Sequence, residues 1–240
     1  MGHGGFGVVY KAKNRNTHKT VAIKAIQGHK VDDLGGFIRE YQLLSSLDHP
    51  NVINIFEIWE WEKMLFLVTD FCRGGDLFTY VLNRDNLGEN DVKLMMRQSM
   101  YTLNYLHSKG ICHRDIKLEN IMLVNPNDLS HIKLIDFGLS KEVQKHANIK
   151  SLCSGSPFYI APEVLAGQVN LSCDVWSMAV CMYISLSGKL PFQGKTKEEV
   201  FMSILNKELD IYNDPDFALV SMNAKDLLSK MLIRNPAKRI

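Results

Sequence analysis

The sequence has little net charge and no long hydrophobic run. Its 240 residues carry 28 lysines and arginines against 26 aspartates and glutamates, a net charge of +2. So small an excess gives no electrostatic reason to expect a nucleic-acid or a membrane partner, and we predict neither. The most apolar helical stretch, residues 175–186, is too short to cross a bilayer, and we expect it to form a buried core helix.

Cysteine is also scarce and follows no recognised pattern. The five cysteines are Cys72, Cys112, Cys153, Cys173 and Cys181. An odd number without a Cys-x-x-Cys pair argues against a disulfide framework or a structural zinc site and favours reduced thiols. The first residues show no charged-then-apolar leader, so we expect a cytoplasmic protein, with the nucleus as a further compartment. A composition of 46% hydrophobic and 22% charged residues is that of an ordinary globular chain of one or two domains.

Chemically distinctive residues concentrate in two short stretches. Residues 113–120 read His-Arg-Asp-Ile-Lys-Leu-Glu-Asn, and residues 136–138 read Asp-Phe-Gly. The carboxylate of Asp115 can orient a hydroxyl and accept its proton, and the ammonium of Lys117 can neutralise charge on a moving phosphoryl group. An amide oxygen and a second carboxylate are suitable ligands for Mg²⁺. The metal ligands predicted in this way are Asn120 and Asp136.

Glycine is clustered at the start of the chain. Residues 2–7 read Gly-His-Gly-Gly-Phe-Gly. The same glycine spacing occurs in dinucleotide-binding folds and in lids over phosphates. Those folds need a helix directly after the glycines, whereas residues 8–12 and 20–24 predict two β-strands joined by a polar turn. The hairpin favours a lid over phosphates, because glycine lets backbone amides come close to a triphosphate.

These stretches, in this order, resemble the motifs of the eukaryotic protein kinases. The resemblance covers essentially the whole chain and implies an α+β fold of two lobes. A small β-rich N-lobe with one key helix is expected at 1–69, a hinge at 70–73, and a larger, mainly helical C-lobe at 74–240. All of it would form one kinase domain, 1–240. Because the chain starts at the glycines and stops just after Arg239, we expect a domain truncated at both ends.

The resemblance also implies roles for individual residues. Asp115 and Lys117 would act at the transferred phosphoryl group, and Lys24 would bind the α- and β-phosphates with Glu40 as its partner. The residues expected around ATP are Gly2, His3, Gly4, Gly5, Phe6, Gly7, Val9, Ala22, Lys24, Thr69, Asp70, Cys72, Asp76, Glu119, Met122 and Asp136. Two alternatives stay open: Glu40, on a helix predicted at 34–47, could be a solvated surface residue, and Asp76 could be an acid at a helix N-terminus.

Other residues are implied to be structural. By the same resemblance, Asp174 would anchor the backbone of the catalytic loop, and Glu163 and Arg239 would form a buried pair. The apolar pattern further predicts strands at 52–59 and 64–71 and a long helix at 90–109.

The expected activity is that of a serine/threonine protein kinase. Lys117, two residues after Asp115, and the Gly-Ser-Pro-Phe-Tyr of residues 155–159 resemble the serine/threonine kinases and not the tyrosine kinases. Residues 159–165 and 214–228 are similar to calmodulin-dependent and calcium-dependent kinases. We therefore expect ATP and Mg²⁺ as cofactors and proteins with serine or threonine acceptors as substrates. A calcium-sensor or autoinhibitory segment outside these residues is a further expected partner.

Two expectations concern specificity and activation. Asp76 and Glu119 could pair with a substrate arginine, which predicts a basophilic kinase. In relatives, the arginine equivalent to Arg114 is neutralised by a phosphate or an acid at the position that Leu152 occupies here. Leucine cannot play that part, so we expect activation by a segment outside these residues, with phosphorylation of Ser151 as the alternative.

Two rival functions share part of this motif set. A catalytically weak pseudokinase or scaffold that binds ATP and partners usually lacks a key residue, but Lys24, Glu40, Asp115, Lys117, Asn120 and Asp136 are all present. A small-molecule kinase with the same lobe plan is the other rival. The Ala-Pro-Glu of residues 161–163, which would close an activation segment, argues against it.

Overall fold

The computed structural model describes residues 2–4, 7–27, 34–62, 64–84, 87–137, 141–142 and 156–240. The strands are β1 (Gly2–Gly4), β2 (Gly7–Lys13), β3 (Thr20–Gln27), β4 (Ile55–Trp61), β5 (Met64–Asp70), β6 (Ile111–Cys112), β7 (Ile121–Leu123), β8 (Ile132–Leu134) and β9 (Lys141–Glu142). The helices are α1 (Leu34–Ser45), α2 (Leu77–Leu82), α3 (Glu89–Ser108), α4 (Pro162–Leu165), α5 (Ser172–Ser187), α6 (Lys197–Asn206) and α7 (Met222–Met231). A strand-rich first part is followed by a mainly helical second part, which confirms the predicted α+β fold.

The first part is a five-stranded antiparallel sheet in the order β1-β2-β3-β5-β4. Its register sets Val9 opposite Lys24, Lys11 opposite Ala22, and Ala22 opposite Thr69. Residues directly opposed in antiparallel strands point to the same face. The register therefore gathers these five side chains on one face of the sheet.

Helix α1 packs against that same face. Ile26, Leu65 and Leu67 occupy the positions that continue the alternation of Lys24 and Thr69, and they form a buried cluster with Tyr41 of α1. These contacts explain why most of the segment predicted at 34–47 is helical on an amphipathic pattern, with the helix ending at Ser45. They also place Tyr41 of α1 in one buried cluster with Ile26 of β3, the strand that carries Lys24.

The core of the second part is α5, which is buried along nearly all of its length. Apart from Asp174 near its start, its side chains are apolar, aromatic or small on every side, so the helix lacks the polar face of a surface helix. Trp176 stacks on Phe192 with ring centroids 5.5 Å apart, and Gly188 ends the helix with a φ of 69°. Helix α3 packs alongside α5 in the same core.

The two long helices lie where the sequence predicts them, whereas one predicted strand begins at the wrong residue. Segment 90–109 forms α3, and 175–186 lies within α5. The predicted strand start at Val52 is wrong, because Val52 makes a parallel bridge to Leu134 and the amide of Ile53 donates to the Leu134 carbonyl at 3.0 Å. The segment thus ties the sheet to β8 instead of extending β4. Among the described residues, no helix is both long and apolar enough to cross a bilayer.

Candidate active site

A single buried carboxylate holds the loop that follows β6. Asp174, at the start of α5, accepts the backbone amides of His113 at 2.8 Å and Arg114 at 2.9 Å, and His107 Nε2 lies 2.9 Å from the same carboxylate. Burial alone would raise the pKa of Asp174, but the hydrogen bond from His107 and the neighbouring groups outweigh it and lower the pKa. Arg114 is held at a φ of 68°, in the left-handed region that costs a non-glycine residue energy. The predicted anchoring role of Asp174 agrees with these contacts.

The anchored loop presents three functional side chains in contact with one another. Lys117 Nζ lies 2.7 Å from Asp115 Oδ2, and Asn120 Nδ2 donates to Asp115 Oδ2 at 2.8 Å and to the Asp115 carbonyl at 2.7 Å. Both side-chain contacts fall on Oδ2, so within the described part of the chain Asp115 Oδ1 accepts no hydrogen bond. The Asn120 amide hydrogens are both used, which leaves its oxygen for a cation. Local geometry therefore suits the predicted roles of all three residues.

The second carboxylate of the site is paired with the lysine of the sheet. Lys24 Nζ lies 3.0 Å from Asp136 Oδ1, although the two residues are 112 positions apart. Asp136 has a φ of 60°, and the next residue, Phe137, is buried edge-on against the ring of His113 at 4.7 Å. This aromatic contact fixes the backbone that carries Asp136. The side chain of Glu40 lies outside the described residues, so its pairing with Lys24 stays a prediction.

The sheet supplies one wall of the cleft in which the sequence predicts a nucleotide. Val9, Ala22 and Thr69 lie on the same face as Lys24, where an adenine could stack. Gly7 has no room for a side chain, since a Cβ would lie 2.0 Å from the Ala25 carbonyl oxygen. This close approach of β2 to β3 is a backbone reason for glycine at that place.

Part of the predicted lid cannot be compared with the structure. Gly2 and Gly4 are strand residues of β1, and Met122 is a half-buried residue of β7. The side chain of His3, together with Gly5 and Phe6, lies outside the described residues. So does segment 143–155, with Ser151 and Leu152, and the regulatory prediction stays untested.

Of the hinge residues, Asp70 is held by two lysines and Cys72 is half-buried. The carboxylate of Asp70 turns to Lys19 and Lys133, at 3.2 and 3.1 Å, and its carbonyl accepts the Thr69 hydroxyl at 3.2 Å. Burial alone would raise the pKa of Asp70, but the hydrogen bonds and charges of Lys133 and Lys19 outweigh it, so the pKa is lowered. Burial raises the pKa of the Cys72 thiol to about 11, so this cysteine is a neutral thiol near neutral pH.

The two acids predicted to bind substrate arginine differ in availability. Asp76 is the N-cap of α2: one oxygen accepts the Thr79 amide at 2.7 Å and the other accepts the Thr79 hydroxyl at 3.0 Å. This is the alternative, helix-capping role that the sequence left open. Glu119 is half-buried and accepts a long hydrogen bond from the Tyr159 hydroxyl at 3.4 Å. Among the described residues, the Glu119 carboxylate therefore accepts fewer hydrogen bonds than that of Asp76.

The predicted buried pair is present. Arg239 meets both oxygens of Glu163, at 2.5 and 2.8 Å, and its guanidinium lies 5.2 Å from the centroid of the Trp176 ring. The arginine also donates to the Ser172 carbonyl at the start of α5. The pair thus joins Glu163, in helix α4, to the start of the core helix α5, close to Asp174.

Sequence reasoning missed two contacts. Lys133, between Ile132 and Leu134 in β8, is buried and donates to the Val52 carbonyl at 3.0 Å as well as meeting Asp70. The sulfurs of Cys112 and Cys173 lie 3.4 Å apart under the catalytic loop, and hydrogen bonding between them together with burial raises the pKa of Cys112. A lysine inside an apolar strand was a signal for the first contact. No local signal marked the second.

Comparison with known proteins identifies the family. Residues 1–240 match the family model described as protein kinase domain, so the chain belongs to the protein kinase family, and the predicted family is confirmed. Among its relatives is calcium-dependent protein kinase 5 of Plasmodium falciparum (isolate 3D7), 38% identical over 240 residues, which are 100% of this chain and 42% of that protein. Calcium-dependent protein kinase 25 of Arabidopsis thaliana is 38% identical over 244 residues, covering 100% of this chain and 46% of that protein. The chain thus spans less than half the length of these relatives.

Proposed function

We propose that the chain is an ATP-dependent serine/threonine protein kinase that uses Mg²⁺. The observation that carries this proposal is the contact of Asp115 with Lys117 and Asn120 at 2.7 to 2.8 Å, on a loop anchored by Asp174. A base, a cation and an amide oxygen on one rigid loop suit a reaction that depends on positioning and electrostatics. No catalytic residue type is missing, which speaks against a pseudokinase.

Each residue of the site has a separate role in the proposed reaction. Asp115 Oδ1 orients the acceptor hydroxyl and takes its proton as the hydroxyl oxygen bonds to the γ-phosphorus and the bond to the β-phosphate oxygen breaks. Lys117 holds its charge beside the transferred group. Lys24 binds the phosphates that remain on the nucleotide. Bound between Asn120 and Asp136, Mg²⁺ would supply charge neutralisation for the phosphate oxygens.

The acceptor type and the regulatory group are part of the proposal. The position of Lys117 beside Asp115 supports serine or threonine as the acceptor. The names of these relatives support a calcium-dependent group, with a calcium-sensor or autoinhibitory segment outside these residues as the regulatory partner. A basophilic preference would depend on Glu119, because both oxygens of Asp76 already accept hydrogen bonds from Thr79.

Phosphate transfer from labelled ATP to a serine peptide, measured with the full-length protein, tests the proposal. Asp115→Asn should keep nucleotide affinity and lower turnover by ~10²-fold or more, since only the base is lost. Asp91→Asn, an exposed acid of α3, is the matched control and should keep full turnover. A wild-type protein that binds ATP without transfer would support the scaffold, and full activity of Asp115→Asn would refute the assigned base.

A further inference from the structure

A second cavity, of about 580 Å³, lies against the hinge and is called here the hinge cavity. It is lined by Asp70, Phe71 and Arg73 of the hinge, together with Lys11, Lys19 and Lys133. Neither Lys24 nor Asp136 lines it, so it is distinct from the catalytic cluster, but Asp70 and Cys72, which the sequence predicts at the ATP site, are part of its lining. Its volume is within the range of ordinary ligand-binding pockets.

The hinge cavity concentrates positive charge. Four lysine and arginine residues line it against a single carboxylate, that of Asp70, which leaves three positive charges uncompensated. The whole chain carries only +2, so this excess is local and not a general property of the surface. Asp70 is moreover already shared, because Lys19, Lys133 and Asn54 all donate to it.

Two of these cations, Lys11 and Arg73, are exposed and make no salt bridge to a described residue. Lys11 Nζ lies 5.1 Å from the centroid of the Phe71 ring, so cation and aromatic surface are presented side by side. Lys133 shares the Asp70 carboxylate with Lys19, so these three groups together contribute one net positive charge near the inner wall, where screening by water is weak.

We propose that the hinge cavity is a docking site for an acidic polypeptide segment. Carboxylates of the segment pair with Lys11, Lys19 and Arg73, and an apolar side chain of the segment packs on Phe71. Charge complementarity selects the sign of the ligand. The size of the cavity and its aromatic wall favour a peptide over a single small anion.

Fluorescence anisotropy with a labelled peptide of alternating glutamate and leucine around one phenylalanine tests the proposal. The titrations use the full-length protein without ATP, so their outcome does not depend on phosphoryl transfer. Lys11→Ser/Arg73→Ser should weaken binding roughly ten-fold, as expected for two exposed ion pairs. Lys93→Ser/Arg97→Ser removes two exposed positive charges from α3 and should change the affinity by less than about two-fold.

Added salt provides a second measurement. The wild-type affinity should fall with salt more steeply than that of Lys11→Ser/Arg73→Ser, because the variant has lost part of the screened attraction. Equal weakening by both double variants would overturn the proposal, as would equal binding of a peptide with glutamine in place of glutamate. Displacement of the peptide by an equal concentration of inorganic phosphate would show a small-anion site and would also overturn it.

Discussion

Replacing Asp174 by asparagine should both destabilise the protein and lower its turnover. The carboxylate takes three donors, two on Oδ2 from His113 and His107 and one on Oδ1 from Arg114. Asparagine keeps one oxygen, so its best orientation retains the Oδ2 pair and turns an NH₂ group toward the Arg114 amide. One buried donor is orphaned, at about 1–3 kcal/mol, and the two remaining bonds lose their charge assistance. If each weakened bond loses about 1 kcal/mol, the free energy of unfolding should fall by about 3–5 kcal/mol in total.

The orphaned amide belongs to the residue directly before Asp115, the proposed catalytic base. Arg114 has a φ of 68°, a conformation that persists only while the surroundings hold it. Turnover of Asp174→Asn should therefore fall even at temperatures where the variant is fully folded. Urea unfolding and peptide phosphorylation measure the two effects, with Asp91→Asn as the control. A loss of less than about 1 kcal/mol with normal turnover would refute the anchoring argument.

Three further predictions concern stability. Gly7→Ala should lower the free energy of unfolding by about 1–3 kcal/mol, because its Cβ meets the Ala25 carbonyl at 2.0 Å; an unchanged thermal midpoint would contradict this. Glu163→Gln should cost about 3–5 kcal/mol in urea unfolding, since it leaves the buried Arg239 charge uncompensated, and a cost near zero would show that the pair is dispensable. Burial lowers the pKa of His113 below 6.5 against the opposing influence of Asp174, Asp115 and Asp136, so below about pH 6.5 the unfolded chain binds a proton that the folded chain does not. Stability should then fall by up to about 1.4 kcal/mol per pH unit on acidification, and His113→Phe, which has nothing to protonate, should show a shallower slope in unfolding measured across that range.

What the sequence could predict depended on distance along the chain. Asp115, Lys117 and Asn120 fall within six residues, so their mutual contact followed from the motif itself. The contact of Lys24 with Asp136 joins residues 112 positions apart, and only a family resemblance could bring them together.

The errors have physical causes as well. Val52 has the apolar, β-branched character of a strand residue, but it pairs with β8 and not within the sheet, a tertiary choice that local pattern does not encode. Asp76 stayed ambiguous because an acid before a helix suits both a cap and a binding role. Lys133 was overlooked because lysine in a strand is normally solvent-facing, whereas here Asp70 and a backbone carbonyl satisfy it.

The anchor of the catalytic loop has a consequence for motion. Asp174 belongs to α5, the most deeply buried helix of the second part, so the amides of His113 and Arg114 are tied to the last element expected to open. Their hydrogens should exchange with solvent only when the helical part unfolds as a whole, at a rate set by global stability. Phosphoryl transfer would then take place on a loop that opens no more often than the protein's core.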